Sequence, residues 1–229
     1  MFRQRRKAIV HVGWWFGIVS FSTLGFGVWG LSKTDCSVRG KTQQKFILDV
    51  DFDTFRQLLV RTNATAAILE HGGMKLVSET TEDVSIDLSK DSRPLRNFLR
   101  GKSKADITAI KHLTVQLNDP QLNAKELLLT QNCRIRGDRI HIISTSDKQA
   151  GELRVYNTTL DAVKADNATE VTLSINMTVD VCVSRIFLSQ AAPRVQKAAE
   201  KALQDQKDAM RNLVANVDRH AIVLTHSKR

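Results

Sequence analysis

Residues 170–184, with the sequence EVTLSINMTVDVCVS, decide the fold. Val171, Leu173, Ile175, Met177, Val179, Val181 and Val183 alternate without a break with Thr172, Ser174, Asn176, Thr178, Asp180, Cys182 and Ser184. Alternation at period two places the apolar side chains on one face of a strand and the polar ones on the other. A strand of this kind belongs to an antiparallel sheet covered on one side and wet on the other.

Working back towards the N-terminus, the same period recurs at 153–163, 139–146, 125–136, 107–117 and 75–89, each run bounded by turn residues. Residues 164–168 are short enough to join the last two strands as a hairpin, and Gly137-Asp138 suits a two-residue turn. That turn sets Ile135 opposite Ile140 and Cys133 opposite Ile142. A slip by one residue would place Cys133 opposite His141 and mix the two faces. Ahead of this meander, 45–50 reads as a first strand. Two short helices follow it. Asp51 or Asp53 caps the first, which carries Phe52, Phe55, Leu58 and Leu59. Thr62 or Asn63 caps the second, which stops at Gly72-Gly73.

After the long strand the period changes. Pro193 fits the first turn of a helix, and Val195, Ala199, Ala202, Leu203, Met210, Leu213 and Val217 recur at steps of three and four. Lys197, Lys201, Lys207 and Arg211 fall largely off that stripe. Gln206 interrupts it, which points to a polar partner or a wet spot beneath the helix. Residues 218–229 read as a basic tail.

The N-terminus has a different character. From Val12 to Leu31 the run VGWWFGIVSFSTLGFGVWGL contains no ionisable side chain. As a helix it reaches about 30 Å, the thickness of a hydrocarbon core. Trp14, Trp15 and Trp29 suit the two interfaces. A cleaved signal peptide would have a shorter apolar stretch and a small-x-small site, and 26–31 offers none. The expected organisation is a basic arm at 1–7, a transmembrane anchor at 8–32, a linker at 33–44 and an α+β domain at 45–217. Arg3, Arg5, Arg6 and Lys7 favour a cytoplasmic N-terminus, with the domain on the extracytoplasmic side. Lys33, Arg39, Lys41 and Lys45 lie beyond the run and reduce that contrast.

The order of one strand, two short helices, about six antiparallel strands and a long C-terminal helix resembles the START-like helix-grip superfamily of lipid-transfer and polyketide-cyclase-like domains. The resemblance rests on 46–53, the helix pair ending at Gly72-Gly73, the strand 171–183 and the helix from Pro193. It implies an antiparallel sheet curled around the last helix, with an enclosed space that often holds an apolar ligand. The cavity-face candidates are then Leu173, Ile175, Met177, Val179, Val181, Leu203 and Met210. A connected apolar cavity of roughly 300 Å3 or more would favour such a ligand, and a filled interior would leave an interaction domain.

Charge and motifs narrow the remaining functions. The chain has 229 residues, with 34 Lys and Arg against 24 Asp and Glu, a net charge of +10. Basic residues without interleaved aromatics disfavour nucleic acid and suit anionic lipid headgroups. Arg93, Arg96, Phe98, Arg100 and Lys102 form a short basic-amphipathic stretch suited to a membrane surface or a partner. The three cysteines lack metal-ligand spacing, the histidines do not cluster, and no phosphate loop occurs, so no cofactor, metal or catalytic site is implied. Two functions fit these features. One is a membrane-anchored, non-catalytic domain holding an apolar ligand or lipid. The other is an accessory interaction domain of a membrane complex, with a membrane-protein partner.

Overall fold

The computed structural model describes residues 33–61, 64–71, 74–89, 97, 105–117 and 126–226. Strand β1 (Lys33–Leu48) leads into helices α1 (Phe52–Arg61) and α2 (Ala64–His71). Strands β2 (Met74–Asp87), β3 (Asp106–Leu117), β4 (Glu126–Ile135), β5 (Arg139–Ser146), β6 (Leu153–Ala165) and β7 (Ala168–Ser184) follow. A single 3-10 turn (Arg185–Phe187) then opens helix α3 (Leu188–His226).

All seven strands form one antiparallel sheet in the order β1-β7-β6-β5-β4-β3-β2. The meander from β2 to β7 is built of sequential neighbours, and β1 closes the far edge along the whole length of β7. Bulges in the β2–β3 and β6–β7 pairs bend the sheet. Its covered face holds α3, which lies over β1 and β7, and the α1–α2 pair. This is the helix-grip arrangement that the resemblance implies.

The strand at 170–184 forms as expected. Val171, Leu173, Ile175, Met177 and Val179 are buried on the inner face, while the polar residues between them are half-buried on the outer one. The expected β4–β5 register also forms, with Ile135 opposite Ile140 and Cys133 opposite Ile142. Asp51 caps α1 by accepting a hydrogen bond from the Thr54 N–H at 3.0 Å. The Thr62, Asn63 and Gly72-Gly73 signals lie outside the described residues.

Four expectations are corrected. Residues 33–44 are the greater part of β1 and not a linker. Their inward positions are Thr34, Cys36, Val38, Gly40, Thr42 and Gln44, too polar and too small to show an apolar alternation. The last helix runs on to His226, through most of the expected tail. It also begins at Leu188, so Pro193 lies in its second turn, where it removes one helical hydrogen bond. Lys207 is buried despite its charge, its ammonium 5.7 Å from the centre of the Phe46 ring. A long aliphatic stem and a cation–π contact make that placement tolerable.

The expected arm and anchor, 1–7 and 8–32, lie outside the described residues. Among the described residues no helix is long and apolar enough to cross a membrane.

Candidate functional site

On the inner face of the central strands one polar row crosses a largely apolar surface. Lys111 on β3 stands opposite Gln131 on β4, Gln131 opposite Ser144 on β5, and Ser144 opposite Thr158 on β6. One rung along, Ala109, Cys133, Ile142, Leu160 and Leu173 form a parallel row of apolar side chains. The two rows make the floor of a cavity of about 190 Å3. Leu59 of α1, Ile68 and Leu69 of α2, and Gln206 and Met210 of α3 complete its walls.

The polar row is internally bonded. The Cys133 thiol donates to Gln131 Oε1 at 3.5 Å, and Gln131 Nε2 donates to Ser144 Oγ at 3.1 Å. A hydroxyl that accepts in this way keeps its own proton for another partner. Lys111 Nζ lies 2.6 Å from Glu79 Oε1, so its charge is already balanced. Burial pushes the Cys133 thiol above its ordinary pKa; the Lys111 charge pulls it down and the Glu79 charge pushes it up. The site is therefore close to neutral and suits hydrogen bonding better than ion capture.

On the opposite wall Gln206 Nε2 donates to the Tyr156 hydroxyl at 3.3 Å, both residues being buried. This is the partner that the break in the helical stripe pointed to. Burial pushes the Tyr156 phenol upwards in pKa, against a smaller lowering by Gln206, so it stays protonated and keeps a donor.

The sequence candidates separate into two groups. Leu173 and Met210 stand on the cavity wall, whereas Ile175 and Leu203 are packed between sheet and helix. Met177, Val179 and Val181 line a second groove of about 240 Å3, where the end of β7 meets the start of α3. Arg93, Arg96, Phe98, Arg100 and Lys102 lie outside the described residues. Lys111, Gln131, Ser144 and Thr158 were not singled out from the sequence. The signal is a polar residue at an inward position of a strand with an apolar inward residue beside it, as Ser144 has Ile142. His141 and His112 are on the outer face. His141 Nδ1 lies 2.8 Å from Asp161 Oδ1, and His112 Nε2 lies 3.5 Å from Glu82. Among the described residues no cluster of three metal-ligating side chains occurs.

Fold and site together define a helix-grip domain with a small, mostly apolar concavity crossed by one polar row. No protein-family model and no curated protein matches the chain. Solved structures do match in the course of the chain. The Zhui aromatase/cyclase of Streptomyces sp. R1128 is 11% identical, with 80% of this chain and 96% of that one covered and a TM-score of 0.46. A START superfamily protein of Mycobacterium smegmatis is 11% identical, with 77% and 98% covered and a TM-score of 0.46.

Proposed function

We propose that this chain is a membrane-anchored binding domain whose concavity holds a compact, mostly apolar molecule bearing one neutral hydrogen-bonding group. The observation that carries this reading is the row Lys111, Gln131, Ser144 and Thr158 set into an otherwise apolar floor. A core that served only packing would gain nothing from four adjacent inward polar residues, because each must find a partner or lose stability. The neutralised Lys111 favours a hydroxyl or carbonyl on the ligand over a carboxylate. At about 190 Å3 the space falls short of an ordinary drug-sized site, which favours a small occupant over a whole phospholipid.

The anchor completes the reading. The uncharged run from Val12 to Leu31 is long enough to span a bilayer, and its end at 26–31 offers no small-x-small site to release it. With Arg3, Arg5, Arg6 and Lys7 held in the cytoplasm, the domain lies on the other side. The ligand is then met beside the membrane and not carried freely through solution.

Solvent extraction of the purified full-length chain, followed by mass spectrometry, tests the binding role. A compact apolar compound with a hydroxyl or carbonyl is expected, and a chain free of any such compound argues against it. Protease treatment of intact cells tests the placement. Cleavage of the domain without lysis is the expected outcome, and protection until lysis contradicts it.

A further inference from the structure

Lys33, the first residue of β1, pairs with Ser184, the last residue of β7. The turn Arg185–Phe187 follows at once. Lys33, Ile186 and Phe187 therefore share one end of the sheet. At that end Ile186 is 55% and Phe187 50% exposed, two large apolar side chains side by side in the chain and facing water. Phe187 also forms part of the apolar groove beside Val181, Val183 and Ala191.

The chain outside the structure says what faces this end. Leu31, the last residue of the uncharged run, precedes Lys33 by two positions. Two residues of extended chain reach no more than about 7 Å. The opposite end of β1, at Leu48, is a further fifteen residues along the strand, or roughly 50 Å away at the usual rise. The Lys33 end is therefore the end of β1 tethered beside the membrane from which the chain emerges.

We infer that Ile186 and Phe187 insert into the interface of that same bilayer, with the groove behind them opening onto the lipid surface. The inference rests on reading 12–31 as a span. Charge at this end is mixed, with Lys33, Arg185 and Arg194 beside Asp35, Glu152 and Asp180. Asp180 is held by Ser37 and Gln149. Contact is therefore driven by apolar burial, and zwitterionic lipid suffices.

The test uses the full chain, whose only tryptophans are Trp14, Trp15 and Trp29. With W14F, W15F and W29F in place, Phe187→Trp supplies a single fluorophore, and Ile186→Trp provides a second, independent position. Each protein is reconstituted into phosphatidylcholine vesicles with or without brominated acyl chains, and Ile47→Trp at the far end serves as the reference. Bromination is expected to lower emission at 186 or 187 and to leave 47 unchanged. Protein that floats with the vesicles yet shows no quenching at either position, or equal quenching at all three, overturns the inference while the anchor stands. Protein that does not float removes the anchor and the inference together.

Discussion

The carbonyl oxygen of Val195 lies 2.7 Å from the position that a Cβ on Gly40 would occupy. Helix α3 and strand β1 thus meet backbone to backbone, at a position where a side chain has no room. One residue further, the Gln196 amide accepts from the Lys41 N–H and donates to the Lys41 carbonyl, both at 3.1 Å. A glutamine side chain here takes the place of a neighbouring strand at the open edge of β1. The long helix is held by its grip on this edge as well as by the apolar stripe beneath it.

Gly40→Ala should therefore destabilise the domain, because the obstructing atom is main chain and cannot rotate away. A loss of about 1–3 kcal/mol is expected, as for other overpacked contacts. Gln196→Ala should cost about 1 kcal/mol through its two edge hydrogen bonds. Urea unfolding measures both. An alanine at 40 that leaves the midpoint unchanged would show the close approach to be unimportant.

Tyr156 and Gln206 should behave as a pair. Either Tyr156→Phe or Gln206→Leu alone strands a buried polar group and should cost roughly 1–3 kcal/mol. The double variant should recover a good part of that loss, because both polar groups are then gone. A double-mutant cycle in urea reads the coupling, and strictly additive losses would refute it.

Asp161 on the outer face gives a pH dependence. Burial acts to raise its carboxyl pKa, but hydrogen bonds from Arg139 and His141 outweigh burial and hold it below the ordinary 3.8. A carboxyl lowered on folding stabilises the protein above its unfolded pKa and loses that contribution as pH falls through the folded value. Wild type should exceed Asp161→Asn by up to about 1 kcal/mol at pH 5, a small figure because Arg139 is largely exposed. The gap should close as the pH drops below 3.8. A gap that widens on acidification would reverse the sign of the argument.

Much of this architecture was legible because its periods are unbroken. The run 170–184 shows its two faces in the primary sequence, and Gly137-Asp138 fixes a register that the structure repeats. The first twelve residues of β1, 33–44, were illegible for a physical reason: their inner face meets a helix at close range, so the strand uses Thr34, Gly40 and Thr42 where another would use Val or Leu. The polar row was hidden differently. Lys111, Gln131, Ser144 and Thr158 are ordinary residues in four separate strands, and only the register lines them up. Leu173 and Met210 could be placed on the inner face from period alone. Their position at a cavity, with Ile175 and Leu203 in solid packing beside them, depends on where α1 and α2 sit. Any soluble form should begin at or before Lys33, since a start at residue 40 would remove half of β1.

Glu79 controls the charge presented to a ligand. Glu79→Gln should leave the Lys111 ammonium unbalanced beside the cavity and shift preference towards carboxylates. A gain of about tenfold in affinity for a small apolar carboxylic acid over the matching alcohol is expected, equivalent to roughly 1.4 kcal/mol. Competition binding with such a pair measures it, and an unchanged ratio would separate Lys111 from recognition.

The binding role itself is tested most directly by comparing what two purified full-length chains carry. Ala109 lies on the cavity floor, so Ala109→Phe fills much of the space without touching the polar row. Extraction and mass spectrometry of wild type should yield a compact, largely apolar compound with a hydroxyl or carbonyl, near one per chain, and Ala109→Phe should yield almost none. The same compounds from both proteins, or none from either, would contradict a ligand in the concavity.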